Sequence, residues 1–211
     1  VFDSTAINST QRFANRMQSG IFPPQRNWCK LEPGNEIPPE RKLDVQKALD
    51  VFNDKMFDVL KQSNFDIAIG EFLLDLSVGT AVMLVQPGDN LTPINFIPVP
   101  QYLVAFEEGA NGQVDNVYRR MRIKGESIKQ QWPDAEISAE LQRMIDDKPT
   151  EEVDLIEATI YDYDRGDYCY HVIHPKSKDE LVYRRQKTSP WVVSRFMKVA
   201  GEIYGRGPVI T

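Results

Sequence analysis

The chain has two histidines, His171 and His174, and both stand in CYHVIHP beside Cys169. On a strand, Cys169 and His171 share one face while His174 takes the other. Zinc needs a full tetrahedral ligand set, and the other cysteine, Cys29, is remote in sequence. The stretch reads as ordinary strand residues, with no metal and no cofactor expected. YDYDRGD places Asp162, Asp164 and Asp167 close together. It lacks the glycine at the sixth position and the glutamate at the twelfth that a calcium loop uses, and a hairpin tip at Asp164–Asp167 accounts for it. In VYRRMRIK, alternation puts Tyr118, Arg120 and Arg122 on one face and Val117, Arg119, Met121 and Ile123 on the other. A basic face with an aromatic can contact phosphate, and Arg120 and Arg122 are the weak candidates for that. A solvated strand face answering the chain's surplus carboxylates is the favoured reading. No Gly-x-Ser-x-Gly elbow and no His-Glu-x-x-His appears. No catalytic residue is assigned, and the chain is not expected to be an enzyme.

The closing GEIYGRGP raises another possibility, a phosphate cradle. Such a loop needs successive backbone N–H groups opening a helix, yet Pro208 follows Gly205 and Gly207 and has none to give. Pro208 is instead expected in the first turn of a helix that continues past Thr211, and both ends of the chain are expected to be trimmed.

These residues must be carried by a body of 211 residues, enough to bury about 70% of the unfolded surface. Charged residues make up 27% and the net charge is −6, which argues against a surface built throughout to grip nucleic acid. Two cysteines make no disulfide framework. The most apolar run, near Ile67–Val85, is interrupted by Glu71 and Asp75, so no membrane span is expected.

Asp3 or Ser4 is expected to cap a first helix with Ile7, Phe13 and Met17 on its apolar face and Gly20 as its stop. The strongest helix pattern lies in EIPPERKLDVQKALDVFNDKMFDVLKQS, with Val45, Ala48, Leu49, Phe52, Met56, Val59 and Leu60 on one face. Ser63 or Asn64 caps a second helix through Phe65, Ile69, Phe72, Leu73 and Leu76 that ends at Gly79, and the two form a helical hairpin. Beyond Gly79 the pattern turns to strands: TAVMLVQ, INFIPV, QYLVAFE, VDNVYRRMRIK and a meander from VDLIEATIYDYD to WVVSRFMKV. Short helices fall at ESIKQQW and SAELQRMIDD. Helices first and hairpins later predict an α+β fold, the helical hairpin packed on a mixed, mostly antiparallel β-rich body. The expected division is 1–79 helical, 80–200 β-rich and 201–211 a connecting segment, all in one compact unit.

DSTAINSTQRFANRMQSGIFPPQRNWCKL, FLLDLSVGTAVMLVQ and SRFMKVAGEIYGRGP, in this order, resemble the bacteriophage head-to-tail connector (portal) proteins of short-tailed, T7-like phages, or a prophage homologue. The resemblance implies a virion protein forming a dodecameric ring at the portal vertex, assembled in the bacterial host cytoplasm. It implies DNA packaged by a terminase and later ejected through the channel without sequence-specific binding. It also implies capsid or scaffolding protein and tail proteins as partners, and no membrane. On this resemblance the chain is the outer wing, and GEIYGRGP is its hinge toward a stem that supplies the channel. The structural residues it singles out are Gly79, Gly201, Gly205, Arg206, Gly207 and Pro208. A wing fragment alone is expected to stay monomeric. Two other readings are a different virion or adaptor protein acting as a binding module, and a metal-dependent hydrolase built on the histidines and the Asp162 cluster.

Overall fold

The computed structural model describes residues 4–24 and 26–209. In chain order the elements are α1 (Thr5–Ile21), α2 (Pro39–Gln62), α3 (Phe65–Val78), β1 (Thr80–Pro87), β2 (Ile94–Val99), β3 (Val104–Glu108) and β4 (Val114–Lys124). There follow α4 (Ile128–Gln131), α5 (Ala139–Asp147), β5 (Glu152–Asp162), β6 (Asp167–His174), β7 (Asp179–Gln186) and β8 (Trp191–Arg195). The fold is α+β, with N-terminal helices and two antiparallel sheets. The chain forms two compact units, one of residues 1–99 with 192–211 and one of residues 100–191. These boundaries differ from the expected division at 79 and 200, because β1 and β2 pack with the helices and the closing segment returns to them.

In the first unit the sheet order is β2-β1-β8. WVVSR therefore does not extend the meander, as its position in sequence suggested. β1 is buried along most of its length and, as a central strand, needs a partner on each side. β2 takes one side in antiparallel register, Val82 opposite Val99, with Pro98 tolerated because β2 is an edge. α3 covers this sheet through Ala68, Ile69, Phe72 and Leu73, which pack with Ala14 of α1 and with Ala81, Met83 and Phe96. α3 meets both α1 and α2, more extensively α1. Asn64 stands at the cap position of α3 but spends its amide elsewhere. It donates to the Phe96 carbonyl at 2.6 Å and accepts from the Phe96 N–H at 2.9 Å, tying the helix start to β2.

Three local expectations change. α1 runs through Gly20 to Ile21, with Ser4 at its cap position; Asp3 lies outside the described residues. The inward face of α2 is rotated from the expected one. Asn53 and Phe57 are its buried residues, whereas Ala48 and Phe52 are exposed. Trp28 explains the choice, since it packs edge-on against Phe57 at 5.3 Å and draws that side of the helix inward. Finally, Gln101–Leu103 form a turn of 3₁₀ helix, so the strand expected from QYLVAFE starts only at Val104.

The second unit is an antiparallel five-stranded meander, β3-β4-β5-β6-β7. α4 and α5 lie on one face, where Ile128, Trp132, Leu141 and Ile145 meet Met121, Val153, Leu155, Tyr170 and Val172. Ser138 caps α5 by accepting from Leu141 N–H at 3.4 Å. Among the described residues no helix is long and apolar enough to cross a membrane.

Candidate functional site

Helix α3 cannot pass into β1 without a sharp change of direction, and Gly79 makes it with φ +150°. Its N–H donates to the Asp75 carbonyl at 3.3 Å, closing the helix, and β1 begins at the next residue. The segment around Gly205–Gly207 lies directly on this junction. Gly205 N–H donates to Thr80 Oγ1 at 2.8 Å, and Val209 N–H to the Ser77 carbonyl at 3.4 Å. The Gly79 carbonyl accepts from Phe196 N–H at 2.9 Å, and Met197 and Arg206 form an isolated antiparallel bridge.

The approach is backbone on backbone. A β-carbon on Gly79 would sit 2.1 Å from the Gly205 carbonyl oxygen, and one on Gly205 2.5 Å from the Gly79 oxygen. One on Gly207 would sit 2.1 Å from the Ser77 oxygen. Gly79, Gly205 and Gly207 are thus one contact seen from two ends of the sequence. Thr80 and Ser77, both fully buried, complete it, and their hydroxyls make it possible. Thr80 accepts from Gly205 of the closing segment, and Ser77 donates back to the Leu74 carbonyl at 2.6 Å. Neither was singled out in the sequence, where a threonine opening an apolar strand was the only signal. Arg206 forms a bidentate pair with Glu202, and Gly201 makes its turn at φ +83° with open space around it. Pro208 lies in a turn, and the helix expected beyond Thr211 falls outside the described residues.

The other candidates are answered within the fold. Arg122 Nε donates to Asp154 Oδ1 at 2.8 Å, and Arg120 lies 3.9 Å from the same oxygen. The hydrogen bond from Arg122 holds the Asp154 carboxyl below its usual range. Arg119 points to the opposite face, where its guanidinium meets the fully buried Glu157 at 3.4 Å. Tyr170 OH donates to Glu157 at 2.7 Å and accepts from Trp132 Nε1 at 2.9 Å. Burial pushes the Glu157 carboxyl up, against the pull of Tyr170 and Arg119.

Asp162 and Asp167 are both bound by Arg185, and Asp162 also accepts from the N–H groups of Asp164 and Arg165. Gly166 turns the tip at φ +69°. His171 pairs with Glu180 at 2.5 Å, while the buried His174 faces Ser177 Oγ at 2.8 Å. Cys169 lies 3.8 Å from Tyr183 OH. Among the described residues no group of three or more His, Cys, Asp or Glu side chains converges as a metal site.

No curated protein matches the chain. The model of a family described as bacteriophage head to tail connecting protein matches residues 1–211, the full length of the sequence. With its polar clusters tied into structural pairs and its chain folded back on the α3–β1 junction, this protein belongs to the bacteriophage head-to-tail connecting protein family, structural proteins of the virion.

Proposed function

We propose that the protein is a subunit of a portal ring of the short-tailed phage kind, through which DNA is packaged by a terminase and later ejected. It performs no bond chemistry. Its partners in this reading are further copies of itself, capsid or scaffolding protein, tail proteins and the DNA in transit. Gly79, Gly201, Gly205, Arg206, Gly207 and Pro208 act as a structural junction that holds the closing segment in a fixed position on the body.

The observation that carries a conduit role, rather than a DNA-gripping one, is the pairing of arginines with the chain's own carboxylates. Arg119 is matched by Glu157, Arg120 and Arg122 by Asp154, and Arg184 by Asp134. Arg185 is matched by Asp162 and Asp167, and Arg206 by Glu202. A protein that binds duplex DNA tightly presents such cations to phosphate and releases counterions. Here they are occupied, and the net charge of −6 repels the backbone at long range. DNA can then pass without being held. Electron microscopy of virions carrying a tagged copy tests the proposal: a closed ring at a single capsid vertex is expected. Copies at every vertex, or no ring, would overturn it.

A further inference from the structure

At one end of the five-stranded sheet, the β3–β4 loop and the β5–β6 tip enclose a cup of about 350 Å³. Tyr161, Tyr163 and Tyr168 supply aromatic walls, and Asp115, with Ala110 and Asn111 of the loop, closes the side. Tyr161 and Tyr168 are paired across the strands, with ring centres 5.0 Å apart. Tyr163 stands nearly perpendicular to Tyr161 at 4.9 Å. Its hydroxyl donates to the Asp115 carboxylate, which fixes the ring at the surface, where it remains 65% exposed.

We propose that this cup binds a guanidinium side chain of a protein partner. Tyrosine ring faces carry negative potential and attract a cation placed over them. Asp115 adds a formal negative charge and, among the described residues, makes no ion pair. The nearby guanidinium of Arg185 is committed to Asp162 and Asp167. The field shows in the phenols: the hydrogen bond to Asp115 pushes the pKa of Tyr163 up from its ordinary value, and burial followed by Asp115 pushes up that of Tyr168. The same field that opposes a phenolate favours a cation and repels phosphate, so a nucleic acid strand is the poorer occupant. A guanidinium fits better than an ammonium because its plane can lie on one ring while its N–H groups reach the carboxylate. The cup's chemistry is the same whether or not the chain closes into a ring.

The test uses the unaltered chain and two short capped peptides, one carrying a single arginine between glycines, the other citrulline in its place. Citrulline keeps the shape and loses the charge. The arginine peptide should shift the ring NMR signals of Tyr161, Tyr163 and Tyr168 progressively, with half-saturation on the order of millimolar for so small a ligand. The citrulline peptide should bind at least ~3-fold more weakly, the loss expected for an exposed cation–π contact. Asp115→Asn should weaken the arginine response by a similar factor. Equal shifts from both peptides, or none from the arginine peptide, would overturn the assignment.

Discussion

Thr80 Oγ1 accepts the backbone N–H of Gly205 at 2.8 Å, joining residues 125 apart in sequence at a point where Thr80 is fully buried and Gly205 half-buried. Replacing the hydroxyl by a methyl group leaves that N–H without its partner. Thr80→Val should therefore cost about 1 kcal/mol, the low end of the range for a donor left unsatisfied, because Gly205 is half-buried. Thr80→Ser should recover most of it. Urea midpoints of the three proteins decide the matter, and a Val variant as stable as the parent would show that the bond is idle.

The glycines make a steric claim on the same contact. Gly79→Val adds a β-carbon 2.1 Å from a carbonyl oxygen and imposes a positive φ on a β-branched residue. We expect a loss of at least ~2 kcal/mol from strain and displacement together. Gly205→Ala should also destabilise, and the double variant should cost less than the sum, because the first substitution already opens the contact that the second would crowd. Gly201→Ala is the comparison. With open space around it, only its φ of +83° is strained, for about 1 kcal/mol. Additive losses at positions 79 and 205 in thermal or urea melts would mean the two glycines do not share one contact.

Much of this was legible in the residues one at a time and little of it in their pairing. Gly79 is visible as the break between a helical and a β pattern, and Gly205 and Gly207 as a cluster. Nothing local says that one meets the other, because the contact is made by backbone atoms that carry no sequence signal. α2 shows a different limit. Its apolar residues wrap around more than one face, and only the position of Trp28 selects Phe57 over Phe52. The hairpin at YDYDRGD was readable because its turn chemistry is local. β8 was misplaced because strand pattern gives no address, and a buried central strand elsewhere claimed it.

Glu157 supplies a prediction with a sign. Its carboxyl is pushed up by burial, so over the interval above the ordinary glutamate value the folded protein holds more of a proton there than the unfolded chain. That group's contribution is greatest below the unfolded value and is lost as pH rises through the folded one. Arg119→Met removes the cation that faces it and should push the carboxyl further up. The variant should be destabilised by about 3 kcal/mol at neutral pH and by clearly less near pH ~5, where the carboxyl can take a proton. Denaturation at both pH values reads the difference. An equal loss at both would remove Glu157 as the cause.

Asp154 answers both Arg122 and Arg120 on an exposed strand face. If DNA passes this protein without being gripped, the unaltered chain should show no appreciable binding to a random duplex at ~0.15 M salt, where nonspecific contacts are already screened. Asp154→Asn leaves two guanidiniums on one face without their carboxylate, beside Tyr118 on the same side of the strand. Its affinity for duplex DNA should rise, and the rise should shrink as salt increases, with a slope reflecting about two additional phosphate contacts. Fluorescence anisotropy with a labelled duplex across a salt series gives both quantities. Arg120→Gln added to Asp154→Asn should return the slope about halfway, since one of the two cations is gone. Tight, salt-sensitive binding by the unaltered chain would contradict the conduit reading, because it would mean that cations other than these already face the phosphate backbone.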